Sequence, residues 1–373
     1  MLKRRNKQPR VIIEDDTNQK DFKKPNWFKR HKKWTIVIIV ASVLIIAGGT
    51  VTALYLANKK PETPQVAKPA AKPKPSIKYY SPLTGAELKD KAATKQPTTA
   101  VMIENSPDAR PQSGLKDSGV VFEAIAEGGI TRFLALYQEQ KPTLVGPVRS
   151  LRMYYVDWLA PFNASVAHVG GSAAALSEVR NGNYRDIDQF FNAGTYWRAT
   201  DRYAPHNVYT NFERLDALNN SKGYKESTFT GFARKDSKAS EAPTATQVKV
   251  TISGPLYNSS YAFNATTGTY DRSQAGAAHM DRESGQISPR VVIVMKVKQQ
   301  HVMEDGWREQ INAVGTGAGY IFQDGTAQEV TWNKSARDQQ IVFTDAEGKE
   351  IKLARGQTWL TAVPEGQGNV TWQ

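Results

Sequence analysis

Cysteine is absent from the 373 residues of this chain. Its absence excludes disulfide bonds, thiolate nucleophiles and cysteine-based metal sites. Anchoring through a lipid on an N-terminal cysteine is excluded for the same reason. Apolar packing must therefore hold the fold together, and a hydrophobic content of 40% is sufficient for sizeable cores.

Common catalytic and metal-binding motifs are also absent. The histidines occur in neither an H-x-H nor an H-E-x-x-H pattern, so we predict no metal site. Ser172 follows two glycines but lacks the G-x-S-x-G context of a hydrolase nucleophile. Nothing in the sequence identifies a cofactor.

One long uncharged run is present, WTIVIIVASVLIIAGGTVTALYLA, from Trp34 to Ala57. About 20 apolar residues span a bilayer as a helix, so this run predicts a transmembrane helix with the lipid bilayer as its partner. It is longer than the apolar region of a signal peptide, which has about 7–15 residues. Basic residues are denser just before the run than just after it. The positive-inside rule therefore predicts a single-pass protein of the cell membrane, with its N-terminus in the cytoplasm and residues 58–373 outside.

The formal net charge of +13 does not indicate nucleic-acid binding. Much of the positive charge lies in two segments outside the predicted globular part, at residues 1–33 and 58–78. We therefore predict no specific nucleic-acid partner, because a basic tail and spacer beside a membrane account for the charge.

The remaining sequence predicts two globular domains and an α+β fold. Alternating strand and helix signals predict an α/β-like first domain, and strand pairs around DG, EG and RG turns predict a mainly β second domain. The predicted segments are a basic cytoplasmic tail (1–33), a transmembrane helix (34–57), a Pro/Ala/Lys linker (58–78), a first domain (79–230) and a second domain (245–373).

A β-hairpin is predicted for VVFEAIAEGGITRFLALYQ, with the turn at Gly128 and Gly129. A regular two-residue turn would place residue 127 opposite 130, 125 opposite 132 and 123 opposite 134. The polar face of the hairpin would then carry Glu123, Ile125, Glu127, Ile130, Arg132 and Leu134.

The next stretch, VGPVRSLRMYYVDWLAPFN, has helical spacing of apolar residues and is predicted to place two arginines in a first helical turn. Positive charge at a helix start is unfavourable by about 0.3–1 kcal/mol. A bound anion would make it favourable, since free N–H groups and guanidiniums both bind phosphate or carboxylate. The candidate anion-binding residues are Arg110, Arg132, Arg149, Ser150 and Arg152. The alternative is that Glu123 and Glu127 pair with Arg132 across the hairpin, and that carboxylates of the same sheet pair with Arg149.

Two loops supply further candidates. HVGGS is predicted to connect a strand to a helix, where α/β folds place ligands; a tight turn capped by serine is the alternative. ATDRYAPHNVYT collects polar residues that either contact a ligand or hydrogen-bond within the loop. The candidates are His168, Gly170, Gly171 and Ser172 in the first loop, and Asp201, Arg202, His206 and Asn207 in the second.

Several motifs together resemble the YerB-like family of bacterial lipoproteins. They are SPLTG, VMIENSPDARPQSGL, EGGITRFLALY, GPVRSLRMYYVDW, HVGGS and APHNVYT, followed near the C-terminus by GYIFQDG, TWNKS and GKEIKLARGQTWL. The resemblance covers roughly residues 79–365. It implies an envelope protein of Gram-positive-type bacteria with two domains of unknown function. The chain differs from the family pattern in that an apolar helix replaces the lipid-bearing cysteine.

Three functional hypotheses follow. The first is an envelope protein that binds an anionic cell-wall or lipid-linked component. The second is a hydrolase or transferase acting on a phosphoryl or glycosyl group, with Glu104, Glu123, Glu127 or His168 as acid or base. The third is a protein-interaction scaffold. Pairing of Arg132, Arg149 and Arg152 with protein carboxylates would count against the first two hypotheses and favour the third.

Overall fold

The structure is a computed structural model, which describes residues 32–58, 77–302 and 308–373. The chain divides into two compact units, Met1–Pro75 and Ser76–Gln373. The predicted basic tail, apart from its last two residues, and nearly all of the predicted linker lie outside the described residues.

The first unit contributes one helix, α1 (Lys32–Ala57). Its segment Ile36–Ala57 has a mean hydropathy of 2.5, and by length and composition it can cross a membrane. The hydroxyl groups of Ser42 and Thr52 donate to carbonyls one turn earlier, at 2.8 Å and 2.7 Å. Such internal hydrogen bonds satisfy polar side chains in an apolar environment.

Among its described residues, the second unit contains three α-helices and a large number of strands. The helices are α2 (Met153–Leu159), α3 (Ala173–Asn181) and α4 (Phe212–Ser221). Strands of the first half are β1 (Tyr79–Tyr80), β2 (Glu87–Leu88), β3 (Thr99–Glu104), β4 (Val120–Glu127), β5 (Ile130–Tyr137), β6 (Ser165–Ala167), β7 (Arg185–Asp186), β8 (Trp197–Arg198), β9 (Val208–Tyr209) and β10 (Arg234–Lys235). Strands of the second half are β11 (Gln247–Thr251), β12 (Ser259–Asn264), β13 (Thr269–Gln274), β14 (Ala277–Ala278), β15 (Met280–Asp281), β16 (Gly285–Gln286), β17 (Val291–Val297), β18 (Gln299–Val302), β19 (Arg308–Ile311), β20 (Gly315–Gln323), β21 (Thr326–Lys334), β22 (Val342–Thr344), β23 (Leu353–Ala354), β24 (Thr358–Pro364) and β25 (Asn369–Trp372). The predicted α+β class with an N-terminal helix is confirmed.

Strands from both halves form one 12-stranded sheet in this unit. Its order is β22-β21-β20-β17-β24-β4-β5-β3-β6-β7, and the β18–β19 hairpin joins it through β19 and β4. The two halves meet where β24 runs parallel to β4, with Thr358 opposite Val120 and Thr361 opposite Glu123. The backbone hydrogen bonds of this pair make the two sequence halves parts of one sheet.

The central strands β3, β4, β5, β17 and β24 are buried on both faces of the large sheet, which explains their apolar runs. On one face, Phe122 and Leu134 pack with Trp158 of α2 in a first core. On the other face, a five-stranded sheet (β14-β13-β12-β11-β25) and α4 complete a second core. Both cores are built from residues of the second unit alone, so we expect a fragment of residues 76–373 to fold without α1.

The predicted hairpin register is wrong beyond its turn. Glu127 pairs with Ile130 as expected, but a β-bulge follows, so that Ala124 lies opposite Arg132 and Glu123 opposite Phe133. A bulge adds one residue to one strand and moves the later side chains to the other face. The sequence pattern could not reveal this because apolar residues occupy both faces of these buried strands.

The predicted first helical turn is also wrong, because α2 begins only at Met153. Arg152 is its N-cap residue, and Arg149 lies in extended chain before it. That extended chain pairs with its neighbours: Arg149 N donates to the Met102 carbonyl at 2.9 Å, and Leu151 forms a bridge to Gly171. These tertiary hydrogen bonds override the local helical pattern.

Candidate functional site

Glu127 pairs with two of the predicted arginines. Arg132 Nη2 lies 2.7 Å from Glu127 Oε2, and Arg152 Nη2 contacts Glu127 Oε1. Burial lowers the pKa of Arg132, which is only 7% exposed. Arg132 also donates to the Ser150 carbonyl at 3.2 Å. Glu127 therefore offsets one of the two positive charges, and its contact with Arg132 matches the cross-strand alternative predicted from the sequence.

Glu104 collects a second group of predicted residues at the end of β3. Its Oε1 atom accepts a hydrogen bond from Ser106 Oγ at 3.0 Å and lies 2.9 Å from His206 Nδ1 and 3.1 Å from Arg149 Nε. Burial lowers the pKa of Arg149, an effect that Glu104 opposes and the Arg132 guanidinium reinforces. The sequence identified Glu104, Arg149 and His206 separately but missed Ser106 and the convergence of all four side chains.

The Glu104 group does not have the geometry of a catalytic triad. Ser106 Oγ lies 3.1 Å from His206 Nδ1, the same nitrogen that faces Glu104. That nitrogen must carry hydrogen to bind the carboxylate, so it cannot accept the serine proton. The other nitrogen, Nε2, lies 4.0 Å from Asp108, whose side chain is exposed. The arrangement positions Arg149 and His206 without activating a nucleophile.

Glu123 lies in the second core, away from both arginine clusters. Arg272 Nη2 lies 2.9 Å from Glu123 Oε2, and Trp359 Nε1 donates to the same oxygen at 2.9 Å. Glu123 and Arg272 are 1% and 0% exposed. The predicted pairing of Glu123 with Arg132 is therefore wrong, because the bulge turns Glu123 toward the five-stranded sheet. A carboxylate enclosed in this way serves packing of the two halves.

His168 is fully buried in the turn before α3. Its Nε2 lies 2.9 Å from Asp186 Oδ1, and its Nδ1 lies 2.8 Å from the Gly170 carbonyl oxygen. Burial raises the pKa of Asp186, but its contact with the His168 ring lowers it overall. Ser172 caps α3 by accepting a hydrogen bond from Ala175 N at 3.3 Å. These contacts match the capped-turn alternative for HVGGS.

The glycines of this turn have separate conformational roles. Gly170 adopts a positive φ of +62°, which side-chain-bearing residues rarely adopt. A Cβ atom on Gly171 would lie 3.0 Å from the Leu151 carbonyl oxygen. Both glycines are thus required by the path of the chain.

The ATDRYAPHNVYT loop is held by contacts with protein groups. Asp201 Oδ2 pairs with Arg282 Nη2 at 2.6 Å, and Arg202 donates to the carbonyls of Asp108 and Pro111 at 2.8 Å and 2.6 Å. Asn207 Nδ2 donates within the loop to the Ala199 carbonyl at 3.0 Å.

Arg110 is held in the same way, by the side chain and carbonyl of Asn105 at 3.2 Å and 2.8 Å. Within residues 32–58, 77–302 and 308–373, no group of three or more acidic, histidine or cysteine side chains is arranged to hold a metal.

A cleft of about 740 Å³ lies on the helix side of the large sheet. It is formed by α2, by residues 172–174 at the start of α3, by residues 308–314 and by Arg337. Of the predicted site residues, only Arg152 and Ser172 line it. Sequence reasoning missed this cleft because its walls come from both halves of the chain, and no local motif connects them. Cavities of about 300–1,000 Å³ are typical of small-ligand sites.

Fold and site together define a protein class: an α+β unit in which two sequence halves share one large sheet, preceded in the described sequence by an apolar helix. Family models match residues 83–225 as "Protein of unknown function (DUF3048) N-terminal domain" and residues 248–360 as the corresponding C-terminal domain. The chain belongs to this YerB-like family.

Two comparisons with individual proteins agree. "Putative lipoprotein YerB" of Bacillus subtilis (strain 168) is 31% identical over 338 residues, which cover 90% of this chain and 96% of that protein. The crystal structure of the YerB protein from Bacillus subtilis matches with a TM-score of 0.70 at 30% identity, covering 79% of this chain and 99% of the solved chain. The lipoprotein relative and the apolar helix together indicate a membrane-anchored protein.

Proposed function

We propose that this protein is a non-catalytic binding protein of the cell envelope, with α1 in the membrane and its second unit outside the cytoplasm. The apolar α1, the lipoprotein name of the relative and the denser basic charge before the helix support this location. We propose a cell-wall polymer as the partner.

The internal pairing of the candidate acids and bases carries the non-catalytic part of the proposal. Glu104 and Glu123 are 3% and 1% exposed, and His168 is 0% exposed. Glu127, which is more accessible, is held by two arginines. General acid–base catalysis requires a group within hydrogen-bond reach of the substrate, and the three buried groups do not offer it.

The same pairing weakens the electrostatic argument for an anionic ligand at the predicted arginines. Arg132 and Arg152 contact Glu127, and Arg149 contacts Glu104. An anion bound at these arginines would lie beside the carboxylates of Glu127 and Glu104, and repulsion between like charges would disfavour it. Binding is therefore assigned to another part of the second unit.

The orientation can be tested by labelling, because the chain contains no cysteine of its own. Single variants Thr17→Cys and Ala242→Cys place one thiol before the helix and one at an exposed position of the second unit. A membrane-impermeant maleimide should label Ala242→Cys in intact cells and Thr17→Cys only after lysis. The reverse pattern would refute the proposed topology.

The binding role can be tested with fragment 76–373 and purified cell-wall sacculi. We expect the fragment to sediment with the sacculi and to release neither reducing sugar nor phosphate. Arg149→Gln should sediment equally, since Arg149 is paired with Glu104. Release of products would favour the enzyme hypothesis, loss of sedimentation in Arg149→Gln would favour the anion site, and a wild-type fragment that stays in solution would refute wall binding.

A further inference from the structure

The cleft beside α2 is lined by charged, polar and apolar side chains. Arg152, Asp157 and Arg337 contribute charge, whereas Met153 and Val314 contribute apolar surface. Ala173 and Ala174 are exposed at the start of α3 and leave room beside them. The cleft is thus accessible to a ligand and offers it both charged groups and apolar surface.

Several charged groups of the cleft contact polar or oppositely charged protein groups. Arg337 Nε lies 2.7 Å from Asp157 Oδ1, and its Nη1 lies 2.7 Å from Glu178 Oε1. Arg152 contacts Glu127, as described above. Glu309 Oε1 lies 3.3 Å from His301 Nδ1. A charged ligand would compete with these pairs, whereas a neutral ligand leaves them intact.

Paired guanidiniums and carboxylates still bind neutral polar groups. A guanidinium has five N–H donors and a carboxylate has about four acceptor positions, so one ion pair uses only part of either set. Hydroxyl groups donate and accept at once, and they can bridge the two members of a pair. Hydroxyl-rich ligands therefore suit this cleft better than ligands of one charge sign.

The amide and apolar side chains of the cleft also favour a neutral, hydroxyl-rich ligand. The side chains of Gln310 and Asn312 are exposed there, and amides donate and accept hydrogen bonds. Met153 and Val314 offer apolar surface against which the C–H faces of a sugar ring can pack.

We infer that the cleft binds a neutral oligosaccharide segment bearing hydroxyl and acetamido groups. This inference rests on the proposed binding role and adds the site and the ligand class to it.

The test uses ¹⁵N-labelled fragment 76–373 titrated with a tetrasaccharide of N-acetylglucosamine, followed by NMR. Backbone signals of residues 173–174 and 310–314 should shift with a saturable dependence on concentration. Affinity should stay constant between about 50 mM and about 1 M NaCl, because screening acts on charged ligands. Ala174→Trp, which fills the cleft, should weaken binding by about tenfold or more. Ala265→Trp, at an exposed hairpin turn outside the cleft, should leave it unchanged.

A second variant, Asn312→Ala, shortens an exposed side chain and should also weaken binding. The inference therefore does not depend on whether Ala174→Trp folds correctly. Shifts at the cleft with pyrophosphate or an alanine tetrapeptide but not with the tetrasaccharide would overturn the inference. Tetrasaccharide shifts elsewhere, or none, would also overturn it. Sedimentation with sacculi that survives Ala174→Trp and Asn312→Ala would leave the proposed function standing while the cleft assignment fails.

Discussion

Removing the charge of Glu123 should strongly destabilise the second unit. The carboxylate is 1% exposed and receives hydrogen bonds from Arg272 at 2.9 Å and from Trp359 Nε1 at 2.9 Å. Glu123→Gln leaves the fully buried Arg272 without its counter-charge and presents an amide group to several donors. Breaking a buried ion pair on one side costs about 3–5 kcal/mol, and we expect a loss of this size in the free energy of unfolding.

Urea denaturation of fragment 76–373 measures this loss. Glu123→Gln should lower the midpoint with little change in slope, since the surface exposed on unfolding stays the same. Replacing both partners, as Glu123→Gln with Arg272→Met, should recover part of the loss, because no uncompensated charge stays buried. Glu87→Gln removes a carboxylate from the exposed Lys78–Glu87 pair and should leave the midpoint unchanged. A loss below about 1 kcal/mol in Glu123→Gln would refute the assignment of this pair as the link between the two halves.

Two further predictions concern pH and backbone packing. Burial and the neighbouring Arg272 hold the pKa of His279 well below its usual value, so the unfolded chain binds more protons than the folded one as the pH falls below about 6.5. The stability that neutral His279 contributes is present above that pH and is lost below it by about 1.4 kcal/mol per pH unit. Urea midpoints measured between about pH 7.5 and 5 should therefore fall more steeply for the wild type than for His279→Gln. Equal slopes for the two proteins would contradict the prediction. Gly231→Ala should unfold the fragment at a lower temperature, because the added Cβ atom would overlap the Pro82 carbonyl oxygen. Gly254→Ala is the control: its Cβ atom meets nothing within 4 Å, so this variant should match the wild type in a thermal melt.

Fold class and family could be predicted from the sequence, whereas the arrangement of charged residues could only partly be predicted. The pairing of Glu127 with Arg132 could be predicted as an alternative to an anion site, because the two residues flank a short turn marked by two glycines. Glu123 was assigned to the same face because regular alternation hides a bulge. The resulting error of one position placed its side chain on the face of Arg132, whereas in the structure it lies on the face of Phe133, in the second core.

The arginines of VGPVRSLR show the same limit. Local spacing suggested a helix that began before Arg149, but hydrogen bonds to β3 keep that segment extended. The partner of Arg149, Glu104, is distant in sequence and carries no motif that would reveal the pairing.

The apolar run of α1 and the cap of α3 could be recognised without a fold, because each depends on residues within a few turns of one helix. Hydrophobic length predicts α1, and Ser172 accepts a hydrogen bond from a residue three positions away. By contrast, the burial of Glu123 against Arg272, the pairing of Arg149 and the walls of the cleft depend on strands from both halves entering one sheet. Those contacts join residues far apart in the chain, and only the packed fold brings them within a few ångströms of one another.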